Sequence, residues 1–148
     1  MSVALLDVNV LVALFHPDHV HHDLAHDWFE EHRARGWATT PLTENGFVRV
    51  LSHPKSGVGE RPQRLIESLA KFCASGHHVF WPDAVSLRDE KVFTRAYLVG
   101  AKQLTDIYLL GLTRKMGGCL ATFDRSIPLG GVVGATRATL TVIAPNNP

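Results

Sequence analysis

The sequence predicts an α/β protein: a five-stranded parallel sheet flanked by helices on both faces. Three observations predict it. Short apolar runs alternate with segments of helical periodicity along the 148 residues, as in a sheet assembled from strand–helix–strand units. The run Cys119-Leu120-Ala121-Thr122 carries no charge, which suits a strand covered on both faces. Asp7 and Asp124 stand just beyond two apolar runs, at the carboxyl edge where such sheets bind ligands near the switch in strand order.

Taken in order, Val3-Ala4-Leu5-Leu6 is the first strand, punctuated by Asp7 and Asn9. Asn9 can cap a short helix through Phe15, which His16-Pro17-Asp18 breaks. A second helix spans about 21 to 35, with Leu24, Trp28 and Phe29 inward, and ends at Gly36. Trp37-Ala38-Thr39-Thr40 is the second strand. The next helix opens with Pro41, carries Glu44 near its start, and turns Phe47, Val48 and Leu51 inward. A polar loop over 52–62 leads to an amphipathic helix over 65–73, which Gly76 ends. His78-Val79-Phe80-Trp81 is the third strand, stopped by Pro82. Ser86-Leu87-Arg88-Asp89 has the form of a capping box, so a helix to about Leu98 is expected. Thr105 is a natural N-cap for a helix whose first turn holds Asp106. Ile107, Leu110 and Met116 belong to its apolar stripe, and Gly117-Gly118 stops it. Cys119 to Thr122 is the fourth strand. After a Gly-rich loop, Thr139 to Ile143 is the fifth, and 145–148 form a loose tail.

The composition fits one domain with a real core. Fifteen Lys and Arg against fourteen Asp and Glu exclude a general polyanion binder; any nucleic acid must meet a local patch. Cys73 and Cys119 are too few for a disulfide framework and read as reduced, buried thiols, which fits the cytoplasm. No signal peptide is visible, and no run is long enough to span a membrane.

Four carboxylates are candidates for one crevice: Asp7, Glu44, Asp106 and Asp124. Singly, each has a plain structural role, as a turn residue after a strand or an acid near a helix start. Together they would converge on the ligand-binding edge. Carboxylates a few ångströms apart repel by about 4 kcal/mol per pair at an effective dielectric near 20. Partial protonation or a bound cation relieves that. Oxygen-only ligation selects Mg²⁺ or Mn²⁺ over zinc, and Mg²⁺ suits phosphate chemistry.

The stretches VALLDVNVLVALF, TENGFVRVL, and LTDIYLLGL followed by LATFDRS resemble the PIN domain, specifically the VapC toxins of bacterial toxin–antitoxin pairs. The resemblance covers nearly the whole chain. It implies a single PIN-like nuclease domain over 1–148 and a Mg²⁺- or Mn²⁺-dependent endoribonuclease that hydrolyses phosphodiester bonds with metal-activated water. It assigns Asp7, Glu44, Asp106 and Asp124 to the catalytic quartet, with Asp7, Asp106 and Asp124 on the metal. Asn9 and Thr122 take the supporting polar positions. Where some members have a further acid, this chain has Ser126, which puts a second ion in question. The family also implies an RNA substrate, a cognate VapB-type antitoxin and a homodimer, and the lack of a long apolar run implies no membrane.

Other patterns compete for attention. Arg88, Lys91 and Arg95 at helical spacing, with Lys102, suggest either an RNA-facing stripe or a solvated face. Arg49, Lys55, Arg61 and Arg64 cluster around the polar loop, and Arg125 adjoins Asp124. His16, His19, His21, His22 and His26 crowd one segment; His22 and His26 have the spacing of a zinc pair, but no cysteine or HExxH context supports one. An aspartate-nucleophile phosphatase would want a second Asp at the position of Asn9. A binding-only domain would use the same acids for folding alone.

Overall fold

A computed structural model describes residues 2–145. Its strands are β1 (Ala4–Leu6), β2 (Trp37–Thr39), β3 (His78–Phe80), β4 (Cys119–Thr122) and β5 (Leu140–Val142). All pair in parallel, in the order β3-β2-β1-β4-β5. The chain begins at the centre and builds outward through β2 and β3. It then returns to build the other half through β4 and β5. That reversal puts the switch point between β1 and β4, where Leu6 pairs with Ala121. The predicted sheet is the observed one.

The helices are α1 (Val8–Phe15), α2 (His22–His32), α3 (Pro41–Ser52), α4 (Pro62–Cys73) and α5 (Ala101–Met116). Helices α1 to α4 share one core with Ala4, Leu6, Trp37 and Ala121. Helix α5 packs on the opposite face with Leu5, Ala38 and Leu120. The alternation follows the two-residue period of a strand. One helix cannot cover its face alone, so Trp81, Phe93, Ile127 and Val132 from irregular segments complete that core.

Helix α1 is buried continuously from Val10 to Leu14. The free carbonyls of its last turn need partners outside the helix. The Ala13 carbonyl pairs with His22 Nδ1 at 2.7 Å and the Leu14 carbonyl with His26 Nε2 at 2.8 Å. The histidine pair thus caps a neighbouring helix. Among the described residues it joins no cluster of three metal-ligating side chains.

Several local expectations are corrected. No helix runs from Ser86 to Leu98; Ser86 Oγ accepts the Arg88 amide in a turn. The Thr94 amide donates to the Gly131 carbonyl and the Val133 amide to that of Val92. Val92, Phe93 and Thr94 favour such extended pairing. Phe93 is buried over Gly111 of α5, where a Cβ would collide with its ring. Arg88, Lys91 and Arg95 therefore form no helical stripe, and Arg95 pairs with Glu90 at 3.2 Å. Helix α5 starts at Ala101 behind Gly100, because Ala101 to Leu104 are good helix formers. Thr105 is consequently not its cap, and Asp106 lies in the second turn. Ile107 and Leu110 are buried, but Met116 is exposed. Asp7, not Asn9, caps α1. Leu24 and Trp28 are only partly buried, and the two free thiols are half-buried rather than buried. Of the expected tail, 146–148 lie outside the described residues. No described helix is long and apolar enough to cross a membrane.

Candidate active site

Asp7 leaves β1 and turns directly into α1. Its Oδ1 accepts the Val8 amide at 2.7 Å and its Oδ2 accepts the Thr122 hydroxyl at 2.7 Å. The Asp7 amide donates to the Ala121 carbonyl at 3.0 Å, carrying the β1–β4 ladder one residue further. The carboxylate is therefore buried and aimed before any ligand arrives.

Thr122, the last residue of β4, ties the two strand ends together. Having given its proton to Asp7, its oxygen accepts from Asn9 Nδ2 at 3.2 Å and from the Asp124 amide at 3.1 Å. The supporting positions predicted for Asn9 and Thr122 thus meet at one hydroxyl. Asn9 Oδ1 is buried without a hydrogen-bond partner, leaving a bare acceptor beside the acids.

Asp124 follows β4. Its Oδ1 accepts both the amide of Ser126 at 2.8 Å and its hydroxyl at 2.6 Å. Those two donors hold its carboxyl below the usual range. Asp106 reaches Asp124 from α5. Burial first, then the charges of Asp7 and Asp124, push Asp106 up to about 7. Burial also raises Asp7, against the bonds from Thr122 and Val8. Between Asp106 and Asp124 the proton therefore sits on Asp106. A cleft of about 440 Å³ opens beside the pair, lined by Val99, Lys102, Gln103, Asp106, Asp124 and Ser126. Lys102 is the cation whose charge reaches Asp124. Arg125 makes no ion pair among the described residues.

Glu44 is placed differently. In the first turn of α3, its Oε2 accepts the Thr39 hydroxyl at 2.6 Å, and the same hydroxyl bonds His78 Nε2 at 2.8 Å. Its charge acts on Cys73 and His78. Three of the four predicted acids thus form one electrostatic group, while Glu44 faces a thiol and an imidazole one strand away. Thr39, Cys73 and His78 escaped the sequence reading. The usable signal was a threonine closing an uncharged run before an acid-bearing segment, as at Thr122.

The donor set of Asp7, Asp106, Asp124 and the Asn9 carbonyl oxygen is all oxygen and fits a hard divalent ion. Among the described residues, the three acids do not bring three oxygens within 4.8 Å of one another.

The family model of the PIN domain matches residues 4–129. The chain belongs to the PIN-domain family. This PIN domain is 44% identical to Ribonuclease VapC44 of Mycobacterium tuberculosis over 140 residues, covering 95% of this chain and 99% of that protein. It is 42% identical to Ribonuclease VapC39 over 125 residues, with 84% and 90% covered, and 45% identical to Ribonuclease VapC38 over 128 residues, with 84% and 87% covered; both are from the same organism. The family match itself spans Asp7, Glu44, Asp106 and Asp124.

Proposed function

We propose that this protein is a Mg²⁺-dependent endoribonuclease toxin, held in check by a cognate VapB-type antitoxin. The observation that carries the reading is the convergence of Asp7, Asp106 and Asp124 at the β1–β4 switch point, with Asp106 pushed up to about 7 by burial first and then by the charges of Asp7 and Asp124. A group of acids that strains against its own charge is built for a cation. The names of its relatives supply the substrate class, RNA.

Asp7, Asp106 and Asp124 would hold the ion, with Mn²⁺ an alternative to Mg²⁺. When bound, the ion supplies a more acidic water and a counter-charge for the phosphate oxygen. The chain's own residues do the rest. Thr122 fixes Asp7 in one rotamer. Ser126 holds Asp124 Oδ1 with its amide and its hydroxyl while the Asp124 carboxyl also meets Asp106. Asn9 Oδ1 can accept from a water in the site. Lys102, on the wall of the cleft, can meet the phosphate backbone. Glu44 would complete the quartet by swinging from Thr39 toward the cleft, or act on the water network from where it stands. A homodimer and a cytoplasmic location accompany the reading.

Incubating purified protein with RNA and Mg²⁺, then sequencing the cut ends, tests it. Cleavage that needs Mg²⁺ and disappears in Asp106→Asn is the expected result. Parental-rate cleavage in metal-replete Asp7→Asn and Asp106→Asn would overturn it. Absence of cleavage in the parent would leave a binding-only domain.

A further inference from the structure

We propose that Cys73, His78 and Glu44 form a second site, for a thiophilic divalent cation of the Zn²⁺ class. The three side chains come from the end of α4, the start of β3 and the first turn of α3. One ligand atom from each lies within 4.8 Å of the other two, and among the described residues no other His, Cys, Asp or Glu cluster of three is so close. Tetrahedral zinc sets its ligand atoms roughly 3.3–3.8 Å apart, and the three donor atoms already sit within the 4.8 Å from which side-chain rotation can reach that spacing.

The donor chemistry separates this site from the acidic one. Sulfur and imidazole nitrogen favour zinc over magnesium. A thiolate and a carboxylate supply two negative charges against the ion's two positive ones. Three protein ligands leave a fourth position for water, and the groove beside them, about 700 Å³, gives a path in. Thr39 already organises the set: its buried hydroxyl bonds Glu44 and His78 and lies in hydrogen-bonding reach of the thiol. On binding, a metal–sulfur bond forms and the thiol proton passes to solvent.

The site has a consequence that rests on the nuclease reading. A zinc-held Glu44 is unavailable to the acidic edge, so zinc bound here would slow Mg²⁺-supported cleavage.

Co²⁺ titration of metal-stripped protein tests the site without any need for cleavage. A thiolate-to-cobalt charge-transfer band is expected, abolished by added Zn²⁺ and unaffected by excess Mg²⁺. Changes outside the ligand sphere of a metal already cost ten- to a hundredfold in affinity, so Cys73→Ala should weaken Co²⁺ binding by about a hundredfold or more. His78→Gln should weaken it while keeping some of the band. A measurement on the unmutated protein guards against a misfolded variant: Zn²⁺ should slow alkylation of Cys73 and not of Cys119. No charge-transfer band in the parent, an unchanged band in Cys73→Ala, or equal alkylation of Cys73 with and without Zn²⁺ would each overturn the proposal. If the band behaves as expected and the RNA stays intact, the site stands and only the nuclease reading falls.

Discussion

Thr39 and Thr122 occupy equivalent places in two different neighbourhoods. Each is the fully buried last residue of an interior strand, and each donates to a carboxylate, at 2.6 Å to Glu44 and 2.7 Å to Asp7. Around Thr122 two more carboxylates gather, from the segment after β4 and from α5. Around Thr39 the neighbours are Cys73 and His78. The anchoring device is the same; what surrounds it decides whether the edge offers hard oxygen donors or a mixed sulfur and nitrogen set. The difference teaches that a carboxylate's role here is written by the elements converging on it rather than by its own position at the sheet edge.

The sharpest way to break that contrast is by charge removal. Asp7→Asn and Asp106→Asn should each lower RNA cleavage on the order of 10²–10³-fold or more, since each removes a group from the centre of charge stabilisation. Glu44→Gln should cost less than either. Equal losses at all the positions would show that Glu44 works with the other acids despite its present orientation, and the contrast would fail.

Next in size are changes to the anchors. Thr122→Val leaves buried Asp7 Oδ2 without its donor and should destabilise the protein by about 1–3 kcal/mol in denaturant unfolding. It should also lower cleavage, whereas Thr122→Ser should restore both. Thr39→Val should carry a similar stability cost and a weaker effect on cleavage. A cleavage loss in Thr39→Val as deep as in Thr122→Val would put the two anchors in one site.

Gly111→Ala tests the packing that lets α5 carry Asp106. An isolated helix would gain about 0.5–1 kcal/mol from alanine. Here the new methyl meets the Phe93 ring, and overpacking should turn that gain into a net loss of about 1–3 kcal/mol. A rise in Tm would show that the Phe93 segment moves away freely.

The smallest expected effect is the most diagnostic of the acidic group. Asp106 titrates at about 7 in the fold, well above the usual carboxylate range. The folded protein therefore holds a proton that the unfolded chain has already released. Its contribution to stability is intact in acid and is lost as pH rises through about 7. A divalent ion takes over the proton's role, so Mg²⁺ should raise Tm more at about pH 8 than at about pH 5.5. Asp106→Asn should flatten this dependence. A Mg²⁺ shift that is the same at both pH values would detach Asp106 from the ion.

The sequence made the sheet legible because its signals are local. Uncharged runs of three or four residues mark strands, and acids just past them mark the carboxyl edge. Asp7, Asp124 and Thr122 fall where that pattern puts them. The segment Ser86 to Leu98 was not legible. Its capping-box spelling is outweighed by hydrogen bonds to 131–133 and by the burial of Phe93, both long-range facts. Asn9 reads equally well as a cap or as a partner for something distant, and only the fold brings Thr122 to it. The link between Glu44, Cys73 and His78 was invisible for the same reason: it joins three elements across 34 positions of chain, from 44 to 78. His22 and His26 have zinc spacing without the context to support a site, and only the fold shows their partners, the carbonyls at the end of α1.

That helix-end plug has a consequence for how this scaffold can change. Because imidazole rings on α2 grip the last carbonyls of α1, the two helices are tied together by bonds additional to those of the turn that joins them. The acidic edge, which begins where α1 begins, therefore has a second anchor besides the chain over 17–20. Grafting extra residues into that turn should be tolerated, whereas losing either ring should not.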